Sequence, residues 1–156
     1  MAASKASFAG LANQNSRAVW AAVGRATIFW CANHAAPTKI AGSGVSTKVA
    51  GSKLILVLGH SQCGAVRGAI DGVKMGNLTE TLSHIMPAVE AVRRLEGSEK
   101  ENPAEFLQRV AEVNVDLNVK KLTDQSEILR GLVAAGDLQI KGGMYSVETG
   151  RVTFRE

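Results

Sequence analysis

The sequence predicts a single α/β domain: a small, mostly parallel β-sheet flanked by helices and finished by a C-terminal antiparallel hairpin. Three observations predict it. Residues 53–58 form a continuous aliphatic run stopped by Gly59, the pattern of a short strand buried on both faces. From there to residue 136, apolar residues recur at three- and four-residue steps, the period of amphipathic helices. Beyond 138 they alternate instead, around the turn Glu148-Thr149-Gly150, which reads as a hairpin. A chain of 156 residues suits one compact domain, so 1–156 is taken as a single unit.

The front of the chain is the least periodic part. Residues 28–31 predict a short strand and 8–11 a weaker one, while 41–52 holds three glycines and at best a marginal helix. After the strand at 53–58, a helix is expected over 64–75, with Ala65, Val66, Ala69, Ile70 and Val73 facing inward. A second is expected over 79–95, carried by Leu82, Ile85, Met86, Val89, Val92 and Leu95. Pro103 suits the first position of the third helix, which runs to about 122. The fourth is read as starting at Asp124, an N-cap with Glu127 three residues on, and stopping at Gly136. Trp20 and Trp30 are expected in the core or an interface, Met75 and Met86 as core fillers, and His84 as a partly buried helix residue.

Composition narrows the functional classes. Apolar residues at 46% and charged ones at 21% describe a globular chain. The longest branched-aliphatic run, Leu54-Ile55-Leu56-Val57-Leu58, is far below the roughly 20 residues that span a bilayer, so no membrane partner is expected. Two cysteines, Cys31 and Cys63, cannot build a disulfide framework and fit a reducing compartment. A cytoplasmic location is the expectation, with an organelle matrix as the alternative because the front half has the composition of a targeting peptide. All 14 acidic residues lie at Asp71 or later, while residues 1–70 carry seven basic side chains. Those seven are scattered, not clustered, so nucleic acid is not an expected partner.

His60-Ser61-Gln62-Cys63 follows directly on the buried strand and opens a helix. A histidine and a cysteine two residues apart, at the carboxyl end of a strand, can offer nitrogen and sulfur to one ion. This is also where open α/β sheets bind ligands. Two ligands alone do not make a zinc site. The surrounding residues say more: 54–66 closely resemble the second metal-binding segment of the β-class carbonic anhydrases. The resemblance continues through Asn114-Val115, Ser126-Glu127-Ile128-Leu129, 140–145 and Glu148-Thr149-Gly150, so it covers about 53–155 and leaves 1–52 degenerate.

That resemblance implies a β-carbonic anhydrase-like fold, zinc as cofactor, and carbon dioxide and bicarbonate as substrates. It implies two cysteines and one histidine as ligands, of which His60 and Cys63 match the histidine and the second cysteine. The family's other cysteine lies in an upstream Cys-x-Asp-x-Arg motif. The counterpart read here is Asn13-Gln14-Asn15-Ser16-Arg17, which retains Arg17 and replaces the cysteine by Asn13 and the aspartate by Asn15. Family members carry helices upstream that embrace a partner subunit, so a truncated, divergent member is expected, forming a homodimer or a larger homo-oligomer.

A neutral amide oxygen is a poor zinc ligand, so Asn13 predicts weak zinc at His60 and Cys63. Asn15 can hydrogen-bond but can neither accept a proton nor pair ionically with Arg17. A second arrangement also fits the sequence: Cys31-x-x-His34 mirrors His60-x-x-Cys63, and these four groups could close a tetrahedral structural site. Two functions follow. One is a carbonic anhydrase-like lyase impaired at Asn13 and Asn15; the other is a catalytically silent relative serving as a binding or assembly domain.

Overall fold

The computed structural model describes residues 26–30, 47–48, 51–95 and 102–155, the first of these as backbone only. Among the described residues four strands form one sheet in the order β1-β2-β3-β4: β1 (Ala26–Trp30), β2 (Leu54–His60), β3 (Gln139–Tyr145) and β4 (Val152–Arg155). The pairs β1/β2 and β2/β3 are parallel and β3/β4 is antiparallel, as the mostly parallel sheet with a terminal hairpin requires. β2 is the buried centre: Ile55, Leu56, Val57 and Leu58 are all enclosed, which is what a continuous aliphatic run selects. The strand runs two residues further than the run itself. Gly59 and His60 pair with Met144 and Tyr145.

Five helices follow β2 or separate it from β3: α1 (Gly64–Ile70), α2 (Asn77–Ser83), α3 (Met86–Arg93), α4 (Pro103–Asp124) and α5 (Glu127–Ala134). α1 ends five residues sooner than its apolar spacing predicts. Gly72 adopts φ +68°, the Val73 amide donates to the Gly68 carbonyl at 2.9 Å, and this left-handed stop overrides the periodicity. Met75 is consequently two-thirds exposed and fills no core.

The helix expected over 79–95 is two helices. Pro87 lacks the N–H that a continuous helix needs and sits instead in the first turn of α3. His84 falls at the junction as the C-cap of α2 and is exposed, not half-buried. α4 begins as predicted: Pro103 follows Asn102, whose Oδ1 accepts from the amides of Ala104 and Glu105 at 3.0 and 2.9 Å. Asp124 closes α4 and does not open α5. The cap of α5 is Ser126, extended at φ −130°, whose hydroxyl accepts from Leu129 N at 3.3 Å. The stop at Gly136 stands, with φ +74° and the Asp137 amide donating to Leu132 O.

α4 lies across β2 and β3 and also touches α3 and α5. Ile55, Val57, Val110, Val115 and Leu129 meet in one aliphatic core beneath it. Two glycines let the helix approach the sheet. A Cβ on Gly59 would lie 2.6 Å from Val115 Cγ2, and one on Gly142 would lie 2.9 Å from Val115 Cγ1. At the free end, Arg155 of β4 grips α4 by two 2.6 Å bonds to the Asp116 carboxylate and a 3.1 Å contact with Glu112. The hydrogen bonds and charge of Asp116, helped by Glu112, hold the guanidinium even more firmly protonated than usual despite its partial burial. Among the described residues no helix is long and apolar enough to cross a membrane.

Candidate metal centre

The bridge from β2 to α1 carries the candidate donors. His60 is the last residue of β2, and Cys63 is the residue that caps α1. The Cys63 side chain is 3% exposed and makes no capping hydrogen bond, so its sulfur is not engaged in holding the helix end. His60 Nδ1 lies 2.9 Å from the Ser61 carbonyl oxygen. A carbonyl can only accept, so Nδ1 is the donor in this contact, and in the neutral ring of that tautomer Nε2 is the nitrogen of the kind that binds a metal. A backbone carbonyl fixing the second nitrogen is the usual way a ligating imidazole is oriented.

The bridge is tied to the hairpin that follows β3. Ser61 N donates to Tyr145 O at 2.9 Å, and Val147 N donates to Ser61 Oγ at 3.0 Å. Gln62 Nε2 donates to Glu148 Oε1 at 2.8 Å. Beside this junction an open cleft of about 410 Å³ runs between α4 and β4, lined by Ser61, Gln108, Glu112, Tyr145, Thr153 and Arg155. Arg155 is committed to Asp116 and Glu112, so among the described residues the cleft offers no uncommitted guanidinium to an anion.

Imidazole nitrogen and thiolate sulfur are the donor types zinc prefers, so His60 and Cys63 fit zinc in kind and leave a tetrahedral site two donors short. Among the described residues no group of three or more histidine, cysteine and carboxylate side chains gathers. Asn13, Asn15, Arg17, Cys31 and His34 lie outside the described residues. Sequence reasoning missed the Gln62–Glu148 and Arg155–Asp116 pairings. A signal for the second exists: Glu112 and Asp116 are four apart on one helix, and Arg155 alternates onto the same side of the hairpin.

A family model described as "Carbonic anhydrase" matches residues 28–152, reaching about twenty-five residues further toward the N-terminus than the sequence resemblance read above. The curated protein "Carbonic anhydrase 2" of Mycobacterium tuberculosis is 32% identical over 108 residues, 66% of this chain and 49% of the relative. The chain thus spans about half the length of the curated relatives it matches. Among solved structures, a β-carbonic anhydrase of Aspergillus fumigatus superposes with a TM-score of 0.67 at 22% identity, over 90% of this chain and 80% of that one. A β-carbonic anhydrase from Sordaria macrospora, described as tetrameric, gives 0.64 at 23% identity over 77% and 60%. At those identities the structural matches speak for the fold.

Proposed function

Because the chain belongs to the β-class carbonic anhydrase family, we propose that it binds one zinc ion and interconverts carbon dioxide and bicarbonate. The donors would be His60 Nε2, Cys63 Sγ and the thiolate of Cys31. The observation that carries this choice is the strand register. β1 runs parallel to β2 with Trp30 opposite Leu58, and Cys31 is the next residue after Trp30, as Gly59 and His60 are the next after Leu58. Residue 31 also falls inside the family match, whereas Asn13, Asn15 and Arg17 precede its start at residue 28.

Zinc, when bound, supplies water activation at neutral pH. The chain's own contributions are orientation and proton placement. Ser61 O holds the proton on His60 Nδ1, and the bridge from β2 to α1 holds Cys63 out of solvent. Counted from Cys31, the motif Cys-x-Asp-x-Arg has Asn33 where the carboxylate stands and Ala35 where the arginine stands. An amide cannot take up a proton, so slow turnover is the expected behaviour. The same thiolates favour a reducing compartment, the cytoplasm first. The tetrameric relative supports assembly into a homo-oligomer.

Asn33 and Ala35 favour a second reading, in which the chain is catalytically silent. Were His34 a fourth ligand, no position would stay open for water. Zinc content and carbon dioxide hydration of the full chain, with Cys31→Ala, Asn13→Ala and His34→Ala, separate these readings. The expected result is one zinc per chain, lost with Cys31→Ala and kept with the other two. Zinc that survives Cys31→Ala overturns the donor assignment. Zinc lost with His34→Ala establishes the closed, silent site.

A further inference from the structure

Gln62 adopts φ +55°, a left-handed conformation that residues with a Cβ rarely take, between the two candidate ligands. It is the only non-glycine residue among those described with positive φ. Such a residue persists only where neighbouring structure holds it. The holding group is visible: the Gln62 side chain reaches across 86 residues of sequence to Glu148 Oε1 at 2.8 Å. The turn that presents Glu148 is itself fixed, with Gly150 N donating to Ser146 O at 2.9 Å and Thr149 N to Ser146 Oγ at 3.2 Å.

We propose that Glu148 is a positioning residue which, through Gln62, holds the three-residue bridge in the shape that sets His60 and Cys63 as a pair. Two neighbouring bonds, Ser61 N to Tyr145 O and Val147 N to Ser61 Oγ, align the bridge with the hairpin. Neither of them reaches Gln62. The glutamine's backbone torsion is stabilised by its side-chain bond to a carboxylate, the stronger kind of hydrogen bond. The hairpin after β3, which supplies no ligand, therefore governs the ligand loop. The inference rests on the reading of His60 and Cys63 as donors, but the clamp itself exists without metal.

The test is the alkylation rate of Cys63 in the metal-free full chain, mapped by mass spectrometry so that Cys31 does not interfere. Cys63 is buried, so its modification reports local opening of the bridge. Gln62→Ala and Glu148→Ala should each raise the rate by about three- to tenfold, the scale of one lost hydrogen bond. The double variant should be no faster than either single one, because both remove the same contact. Glu148→Gln, which keeps an acceptor oxygen at the same reach, should restore most of the protection. Unchanged single-variant rates, effects that multiply in the double variant, or a Glu148→Gln rate equal to that of Glu148→Ala would overturn the clamp. Zinc affinity by chelator competition, run alongside, should fall in the same order. If the chain holds no zinc while alkylation follows the cycle, the zinc reading fails and the clamp stands. Tight zinc with flat alkylation rates does the reverse.

Discussion

Replacing Gly59 by alanine tests whether the close approach of α4 to the sheet is a real constraint. The added Cβ would stand 2.6 Å from Val115 Cγ2 and 2.7 Å from Met144 Sδ. Carbon atoms in contact prefer about 3.5–4.0 Å, so each neighbour must retreat by about 1 Å. Met144 can bend away, since its thioether is flexible. Val115 cannot, because a β-branched side chain in a helix has essentially one rotamer and its other methyl already fills the notch over Gly142. Relief requires α4 to lift, and overpacking of this kind costs about 2 kcal/mol. Val115→Ala alone should also cost about 2 kcal/mol, two buried methyl groups plus a partial cavity. Together the two changes should cost about 2 kcal/mol rather than 4, since the new methyl occupies the space the valine vacates. Urea unfolding of the four proteins, with m-values unchanged, measures this cycle. A Gly59→Ala protein within about 0.5 kcal/mol of the parent, or a double variant at the full sum, would refute the packing argument.

Two further outcomes follow from named contacts. Arg155→Met keeps most of the aliphatic stem and removes the charge, so it should cost about 1 kcal/mol in low salt and clearly less in 1 M salt, read by urea unfolding. A loss that ignores salt would mean the stem, not the ion pair to Asp116 and Glu112, anchors β4. The guanidinium should add no pH dependence near neutrality, because a cation whose folded pKa is raised loses its contribution only as pH climbs through that value, far into alkali. Asn33→Asp combined with Ala35→Arg should raise carbon dioxide hydration by at least tenfold, on the low side of what a positioned proton acceptor supplies, while zinc content stays level. An unchanged rate at unchanged zinc content would remove the proposal that Asn33 is what slows the chemistry.

Much of the architecture was legible because it is local. The aliphatic run of β2, Pro103 behind its asparagine cap, Gly136 at the end of α5 and the hairpin after 138 each carry their own signal within a few residues. The misreadings have a common cause: apolar spacing continues smoothly through residues that stop a helix. Leu82, Ile85, Met86 and Val89 keep step across Pro87, and Ile70 and Val73 keep step across Gly72, so periodicity alone joins what backbone chemistry separates. Asp124 looked like a cap by its spacing to Glu127, yet the helical ladder of α4 had already claimed it. His60 and Cys63 were legible as a pair. The ties that shape their loop were not, since Ser61 and Gln62 meet Val147 and Glu148 across 86 positions with no pattern linking them.

The same distinction bears on how activity and folding divide in this chain. The strand end that bears His60, the helix start that bears Cys63, the hairpin tied to the bridge and the helix seated on Gly59 and Gly142 all lie between residues 51 and 155. β2 pairs with β1 on one side and β3 on the other, the bridge bonds to the turn after β3, and α4 is held to β4 through Arg155. Among the described residues, the bonds that shape this half-site join β2, the bridge, the hairpin and α4. If Asn33 and Ala35 act on the chemistry alone, as proposed, substituting them should change the hydration rate and leave the Cys63 alkylation rate level. On the register proposed from Cys31, Asn33 and Ala35 stand where the family's motif has its carboxylate and arginine, while Gly59 and Gly142 let α4 reach the sheet. Packing around the two donors can therefore be tested apart from the chemistry proposed for Asn33 and Ala35.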